Sequence, residues 1–199
     1  MYTSKNFSHL FGLTGFTDAL LQNHFTLYEG YVANVNKLND ALEELRREEK
    51  YTTPEYAEIN RRFGWEWNGM RLHELYFGNV SKESSFITEE KGLSLDLIKK
   101  WGSLEAWEKD FRSMMTIRGI GWVILYRDVV SGELFHSWVN EHDGGHLAGS
   151  DALLVMDVFE HAYMLDYGIK RAEYIDQIMQ HIDFTEVEKR FVASIEKTK

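Results

Sequence analysis

From the N-cap pair Thr17-Asp18 a helical pattern of apolar and polar positions runs to about Lys50 without a proline. Val35, Leu38, Leu42 and Leu45 form its apolar stripe at helical spacing. Tyr51-Thr52-Thr53-Pro54 breaks the pattern, with Thr53 as cap and Pro54 in the first turn of a second helix. That helix carries Tyr56, Ile59, Phe63, Trp67, Leu72 and Tyr76, and Gly64 and Gly69 thin it where another backbone can approach. Two long helices joined by a short turn predict an antiparallel hairpin.

Residues 81–92 are polar and turn-rich, and divide the chain into an N-terminal helical half (1–85) and a C-terminal half (86–199). Two shorter helices are expected at about 94–101 and, after the cap Ser103, at about 104–116. Gly121 to Tyr126 reads as a strand, Ser131-Gly132 as a turn, and Glu133 to Val139 as the second strand of a hairpin. A glycine-rich loop, 141–150, leads to the apolar run Ala152 to Met156, a third, fully buried strand. Helical segments fill the remainder, the last capped by Asp183 or Thr185. No internal repeat or low-complexity stretch interrupts this order. The fold class is α+β: a helical hairpin followed by a three-stranded antiparallel sheet flanked by helices.

A length of 199 residues supports one substantial core or two small halves sharing an interface. No apolar run reaches membrane-spanning length, and Met1 to Asn6 lacks the apolar core of a signal peptide, so a cytoplasmic protein with no membrane partner is expected. The absence of Cys excludes disulfides, thiolate chemistry and cysteine-ligated metal. A formal net charge of -10 argues against nucleic acid, and Arg46-Arg47 sits among Glu43, Glu44, Glu48 and Glu49 as part of a solvated helix face. Six Trp, ten Tyr and twelve Phe point to a large aromatic core.

Where the third strand ends stands Asp157, with His161 four residues on, a spacing that puts an oxygen and a nitrogen on one face. Asp157 with Glu160 is equally a capping-box pattern, which needs only to start a helix. His9, His136 and His181 lack obvious company in the sequence, whereas each long helix offers one inward-facing imidazole, His24 and His73. Three neutral imidazoles and one carboxylate suit manganese, iron or zinc.

The stretch Asp157-Val158-Phe159-Glu160-His161-Ala162-Tyr163 resembles a signature of the iron/manganese superoxide dismutases. The resemblance continues through Glu29 to Val32, Trp67-Asn68-Gly69 to His73, Gly119 to Trp122 and Lys170 to Tyr174, in the family's order from about Thr17 onward. It implies disproportionation of superoxide at one iron or manganese ion per subunit, the sequence not separating the two metals. His73, Asp157 and His161 fall on the family's second, third and fourth ligands, and the resemblance implies His24 as the first. The family's first His precedes its active-site Tyr by eight positions; here His24 precedes Tyr31 by seven, which implies a regular helix in place of a one-residue bulge.

The resemblance further implies that Tyr31 closes the substrate channel and relays protons, and that Trp122 and Phe159 wall the site. His142 is implied as the residue facing the metal's solvent ligand, with His146 as the alternative, because Gly69 holds the family's other position for that role. Arg171 matches a cation at the funnel, and Glu160 would reach the partner's copy of His161 across a two-fold axis, making a homodimer or a tetramer of two dimers. Leu27, Tyr28 and Met164 stand where the family has a hydrogen-bonded gateway between subunits. Two other readings are a dismutase-like fold kept for binding and a hydrolytic zinc enzyme using the same four residues.

Overall fold

A computed structural model describes residues 1–85, 87 and 92–197 of the chain. Helix α1 (Asp18–Arg47) starts where the Thr17 side chain accepts the Leu20 N–H at 3.2 Å. It ends three residues before the sequence pattern does, because Glu49 turns to φ 56° and Lys50 N–H closes onto the Leu45 carbonyl at 2.9 Å. Helix α2 (Pro54–Gly78) is capped by Thr53, whose side chain accepts the Tyr56 N–H at 3.2 Å. The two pack along their lengths as the predicted hairpin, burying Leu20, Leu21, Phe25, Tyr28, Val32 and Val35 of α1 with Met70, Leu72, Tyr76 and Phe77 of α2.

Helices α3 (Leu93–Trp101) and α4 (Leu104–Met115) pack on each other, and Ser103 caps the second. The sheet follows with strands β1 (Gly121–Asp128), β2 (Leu134–Asn140) and β3 (Ser150–Asp157) in the order β2-β1-β3, all antiparallel. The central β1 is buried from Gly121 to Arg127, as its unbroken apolar run requires. Its register sets Trp122 directly opposite Asp157. The third strand is longer than its apolar core suggests, because the ladder carries the Asp157 backbone as well.

The chain after β3 is a series of short turns: a 3-10 turn at Glu160–Ala162, α5 (Met164–Tyr167), α6 (Arg171–Ile178), a second 3-10 turn and α7 (Phe184–Glu196). Of the two candidate caps for α7 the residue is Asp183, whose Oδ1 accepts the Thr185 N–H at 3.0 Å. The boundary drawn at 81–92 falls partly on 86 and 88–91, which lie outside the described residues. Among the described residues, no helix is long and apolar enough to cross a membrane.

Asn79, fully buried at the end of α2, fastens the hairpin to the edge of the sheet. Its Nδ2 donates to the Tyr76 carbonyl at 3.0 Å and the Val155 carbonyl at 3.2 Å, and its Oδ1 accepts the Val155 N–H at 3.0 Å. The open edge of β3 is thereby satisfied by a side chain in place of a strand. Asn79→Ala is expected to strand both Val155 groups and cost about 2–4 kcal/mol in chemical denaturation.

A candidate metal centre between the hairpin and the sheet

Four elements aim one polar side chain each at a single point. His24 comes from α1, His73 from α2, Asp157 from the end of β3 and His161 from the 3-10 turn that follows. Asp157 Oδ2 lies 3.1 Å from His24 Nε2, 3.1 Å from His161 Nε2 and 3.7 Å from His73 Nε2. His24, His73 and Asp157 are buried, while His161 is partly open. Ligand atoms about 2.0–2.2 Å from a shared ion stand roughly 3–4 Å from one another at ordinary bond angles, and these separations fall in that range.

The donor set also contains a buried nitrogen that protein hydrogen bonds leave unpartnered. His73 Nδ1–H donates to the Gly69 carbonyl at 2.5 Å, which leaves a lone pair on Nε2. That Nε2 is buried with no hydrogen-bond partner among the described residues. A buried acceptor without a donor is costly, and it faces the same point as the other two Nε2 atoms and the carboxylate. The residues present fit a metal ion.

Asp157 serves both readings of its sequence context. Its Oδ1 accepts the Phe159 N–H at 2.8 Å, a local turn that directs the chain out of β3, while Oδ2 is left for the histidines. Its carbonyl is held from behind by Tyr174 Oη at 2.7 Å, which in turn meets Tyr76 Oη at 3.2 Å. Burial opposes the Asp157 charge, but the field and hydrogen bond of His161, with those of His24, outweigh it and hold the carboxyl well below its usual range.

Helix α1 is an unbroken α-helix through this region, and seven residues make nearly two full turns, so His24 and Tyr31 share its inner face. The Tyr31 ring stacks on His73 at 5.3 Å between ring centres. It can do so because position 69 is glycine: a Cβ there would lie 2.5 Å from Tyr31 Cδ1. Tyr31 Oη then reaches His142 Nε2 at 2.7 Å. On the other side of that imidazole, the Trp122 indole N–H donates to Nδ1 at 3.1 Å. An indole nitrogen only donates, so the proton of the neutral His142 ring sits on Nε2, facing Tyr31.

Burial pushes His142 down to about 4 and Tyr31 up to about 12, so both stay neutral across the physiological range. Burial likewise lowers His24 and His73. The unfolded chain therefore takes up protons on these rings below about pH 6.5 that the folded chain refuses. Stability of the metal-free protein is expected to be full above pH 6.5 and to fall as pH drops toward 4, with His142 alone contributing on the order of 3 kcal/mol. Denaturant titrations at stepped pH measure this; a flat profile would contradict it.

The remaining sequence candidates sit around this cluster. His146 bonds Tyr126 Oη at 2.8 Å and the His142 carbonyl at 2.9 Å, bracing the 141–150 loop. Arg171 opens α6, and its Nη1 donates to the Ile117 and Gly119 carbonyls at 3.0 and 3.1 Å. Glu160 is exposed and lines, with His161, Leu20, Leu27, Met164 and Leu165, an apolar hollow of about 520 Å³. His136 does have company: it pairs with Asp110 at 2.6 Å and stacks on Trp101 at 4.4 Å, a brace between β2 and the α3–α4 pair. Sequence reasoning missed Trp65, whose ring stands edge-on to His142 at 5.0 Å. No local pattern marks it.

Comparison with known proteins agrees with this geometry. The family model for the C-terminal domain of iron/manganese superoxide dismutases matches residues 89–190. An iron superoxide dismutase of Cupriavidus metallidurans is 32% identical over 188 residues, 92% of each chain. A manganese superoxide dismutase of Haloferax volcanii is 31% identical over 89% of this chain and 87% of its own, and an iron enzyme of Aquifex aeolicus 32% identical over 90% and 85%. The chain belongs to the iron/manganese superoxide dismutase family.

Proposed function

We propose that this chain is a superoxide dismutase, converting two superoxide anions and two protons to dioxygen and hydrogen peroxide. The observation that carries the reading is the convergence of three imidazole nitrogens and one carboxylate on a point that His73 Nε2 faces unpartnered. An iron or manganese ion held by His24, His73, Asp157 and His161 would supply the one-electron steps by alternating between trivalent and divalent states. Relatives named for iron and for manganese support either ion.

The protein's own groups orient the ligands and manage protons. The Gly69 carbonyl fixes the His73 tautomer and the Phe159 N–H fixes the Asp157 rotamer, so Nε2 and Oδ2 point inward. One carboxylate with three neutral imidazoles gives the ligand set a single negative charge, which favours a trivalent cation. Because His142 presents its N–H to Tyr31 Oη, the phenol proton is free to be offered toward the centre, and half-buried Tyr31 can take its replacement from solvent. Trp122 and Phe159 close the site with apolar surface, and the ring of Phe159 stacks on both His142 and His161 at 4.7 and 5.0 Å. Exclusion of water strengthens every charge interaction inside.

The working unit is a homodimer, in which Glu160 braces the partner's copy of His161. The support is the apolar hollow around these two residues, with Leu27, Met164 and Leu165 all exposed in the isolated chain. A tetramer of two such dimers keeps the same contact.

Superoxide disappearance and hydrogen peroxide yield, followed together for iron-loaded and manganese-loaded protein, test the reading. One peroxide per two superoxides is expected with at least one metal. One peroxide per superoxide would indicate a reductase, and no consumption with either metal would overturn the proposal.

A further inference from the structure

The chain carries a formal charge of -10 and its proposed substrate is an anion, so the approach to the centre needs a local cation. Arg171 is half-buried, its Nη1 donating to two backbone carbonyls and its Nε and Nη2 without a hydrogen-bond partner among the described residues. A second arginine lies over Trp65, whose ring meets His142 of the Tyr31–His142 pair. Moving outward from buried His142, the next layer is half-buried Trp65, edge-on to the imidazole at 5.0 Å. Arg62, three residues earlier on α2, lays its Cζ 4.3 Å from the centre of the Trp65 ring, with its side chain 45% exposed. Arg62, Trp65, His142 and Tyr31 thus form a continuous ladder from solvent to the stacked His73.

We propose that Arg62 is a steering cation that draws superoxide to the Tyr31–His142 side of the centre, with Trp65 as the rigid platform that holds it there. The inference rests on the dismutase reading. Stacking on an aromatic face suits a guanidinium and fixes its position without neutralising it. The charged groups around it are consistent with that role. Glu66 Oε1 lies 3.4 Å from Arg62 Nε, while its Oε2 accepts from Asn34 at 3.1 Å, so part of the Arg62 charge is offset by a carboxylate shared with another group. Asp143 is exposed beside His142 and its charge also acts on Arg61, which is bound twice to Glu58 at 2.8 and 2.5 Å and so is largely offset. The Arg62 field also reaches inward: burial is the main influence on both Tyr31 and His142, the Asp157 charge follows, and Arg62 adds a smaller contribution to each. With screening over about 10 Å at 0.1 M salt, a cation stacked one ring away from His142 counts for more than the distant surface charge.

The test is the second-order rate of superoxide consumption by the metal-loaded protein, as a function of ionic strength, together with the dissociation constant of azide read by absorption. At about 10 mM ionic strength, Arg62→Gln is expected to lower the rate and weaken azide about two- to fivefold. Glu66→Gln is expected to raise the rate and tighten azide binding, and the two differences should vanish at high salt. Arg62→Lys, which keeps the charge, should retain most of the wild-type rate, and Arg61→Gln should match wild type. An Arg62→Gln protein indistinguishable from wild type, or one whose deficit persists at high salt and is shared by Arg62→Lys, would overturn the proposal. The azide arm reads Arg62 whether or not turnover is found, so failure of the dismutase reading shows separately as metal-loaded protein that binds azide without consuming superoxide.

Discussion

Asp157→Asn is expected to empty the centre while leaving the fold in place. Asparagine keeps the size of the side chain and an oxygen for the Phe159 N–H, so the turn out of β3 survives. What disappears is the one negative charge facing His24, His73 and His161. Three neutral imidazoles and an amide hold a trivalent cation poorly. Loss of a group that merely supports a ligand costs about 10–100-fold in metal affinity, and loss of this ligand charge should exceed that. Competition against a graded chelator measures the affinity, and superoxide consumption should fall with bound metal. Retention of a full equivalent of tightly bound metal by the variant would mean that Asp157 is not a ligand.

The second large effect is expected from a single methyl group. Gly69→Ala places a Cβ 2.5 Å from Tyr31 Cδ1, with Cε1 and Cγ of the same ring at 2.7 and 2.8 Å. On propensity alone the change should stabilise α2 by about 1 kcal/mol, but overpacking typically costs about 1–3 kcal/mol. The ring is clamped by its stack on His73 and by its 2.7 Å contact with His142, so relief means moving Tyr31 away from both. Misplacement by about 1 Å at a reacting site can cost 10²-fold, and a rate loss of about 10–100-fold is expected with little change in metal content. A double-mutant cycle checks the cause. In a Tyr31→Ala background the same Gly69→Ala change should become neutral or stabilising in denaturant titrations, because nothing remains to clash.

The hairpin and the sheet were legible in the sequence because their signals are local. Thr17, Thr53 and Ser103 each cap the helix that the apolar pattern predicts, and the apolar stretches of β1 and, from Leu153 on, of β3 are buried as such runs require, while Ala152 is half-buried. The end of α1 was not legible, because it depends on Glu49 adopting a positive φ that no composition rule assigns to glutamate. Asp157 shows why local patterns left the site ambiguous: one of its oxygens makes the turn that a capping signal describes, and the other faces the histidines. Only the fold separates the two oxygens. The resemblance to a known family supplied what spacing could not, joining His24 and His73 to a strand end more than eighty residues away.

What stayed hidden depends on contacts between distant parts of the chain. Nothing near Trp65 announces that it will meet His142, since the pairing requires the 141–150 loop to fold back over α2. The Asp110–His136–Trp101 brace is equally invisible, drawing one residue each from α4, β2 and α3. His136, isolated in the sequence, is a packed and paired side chain in the fold, which shows how little the neighbours of a histidine say about its partners.

The most direct test of the central claim is metal content measured against turnover in one preparation. The protein, purified and loaded separately with iron and with manganese, would be analysed for bound metal per chain and for superoxide consumption in the same samples. Close to one equivalent of iron or manganese per chain, with consumption proportional to that metal and lost together with it in Asp157→Asn, is the predicted result. A protein that holds no metal, or holds only zinc and consumes no superoxide, would contradict the account.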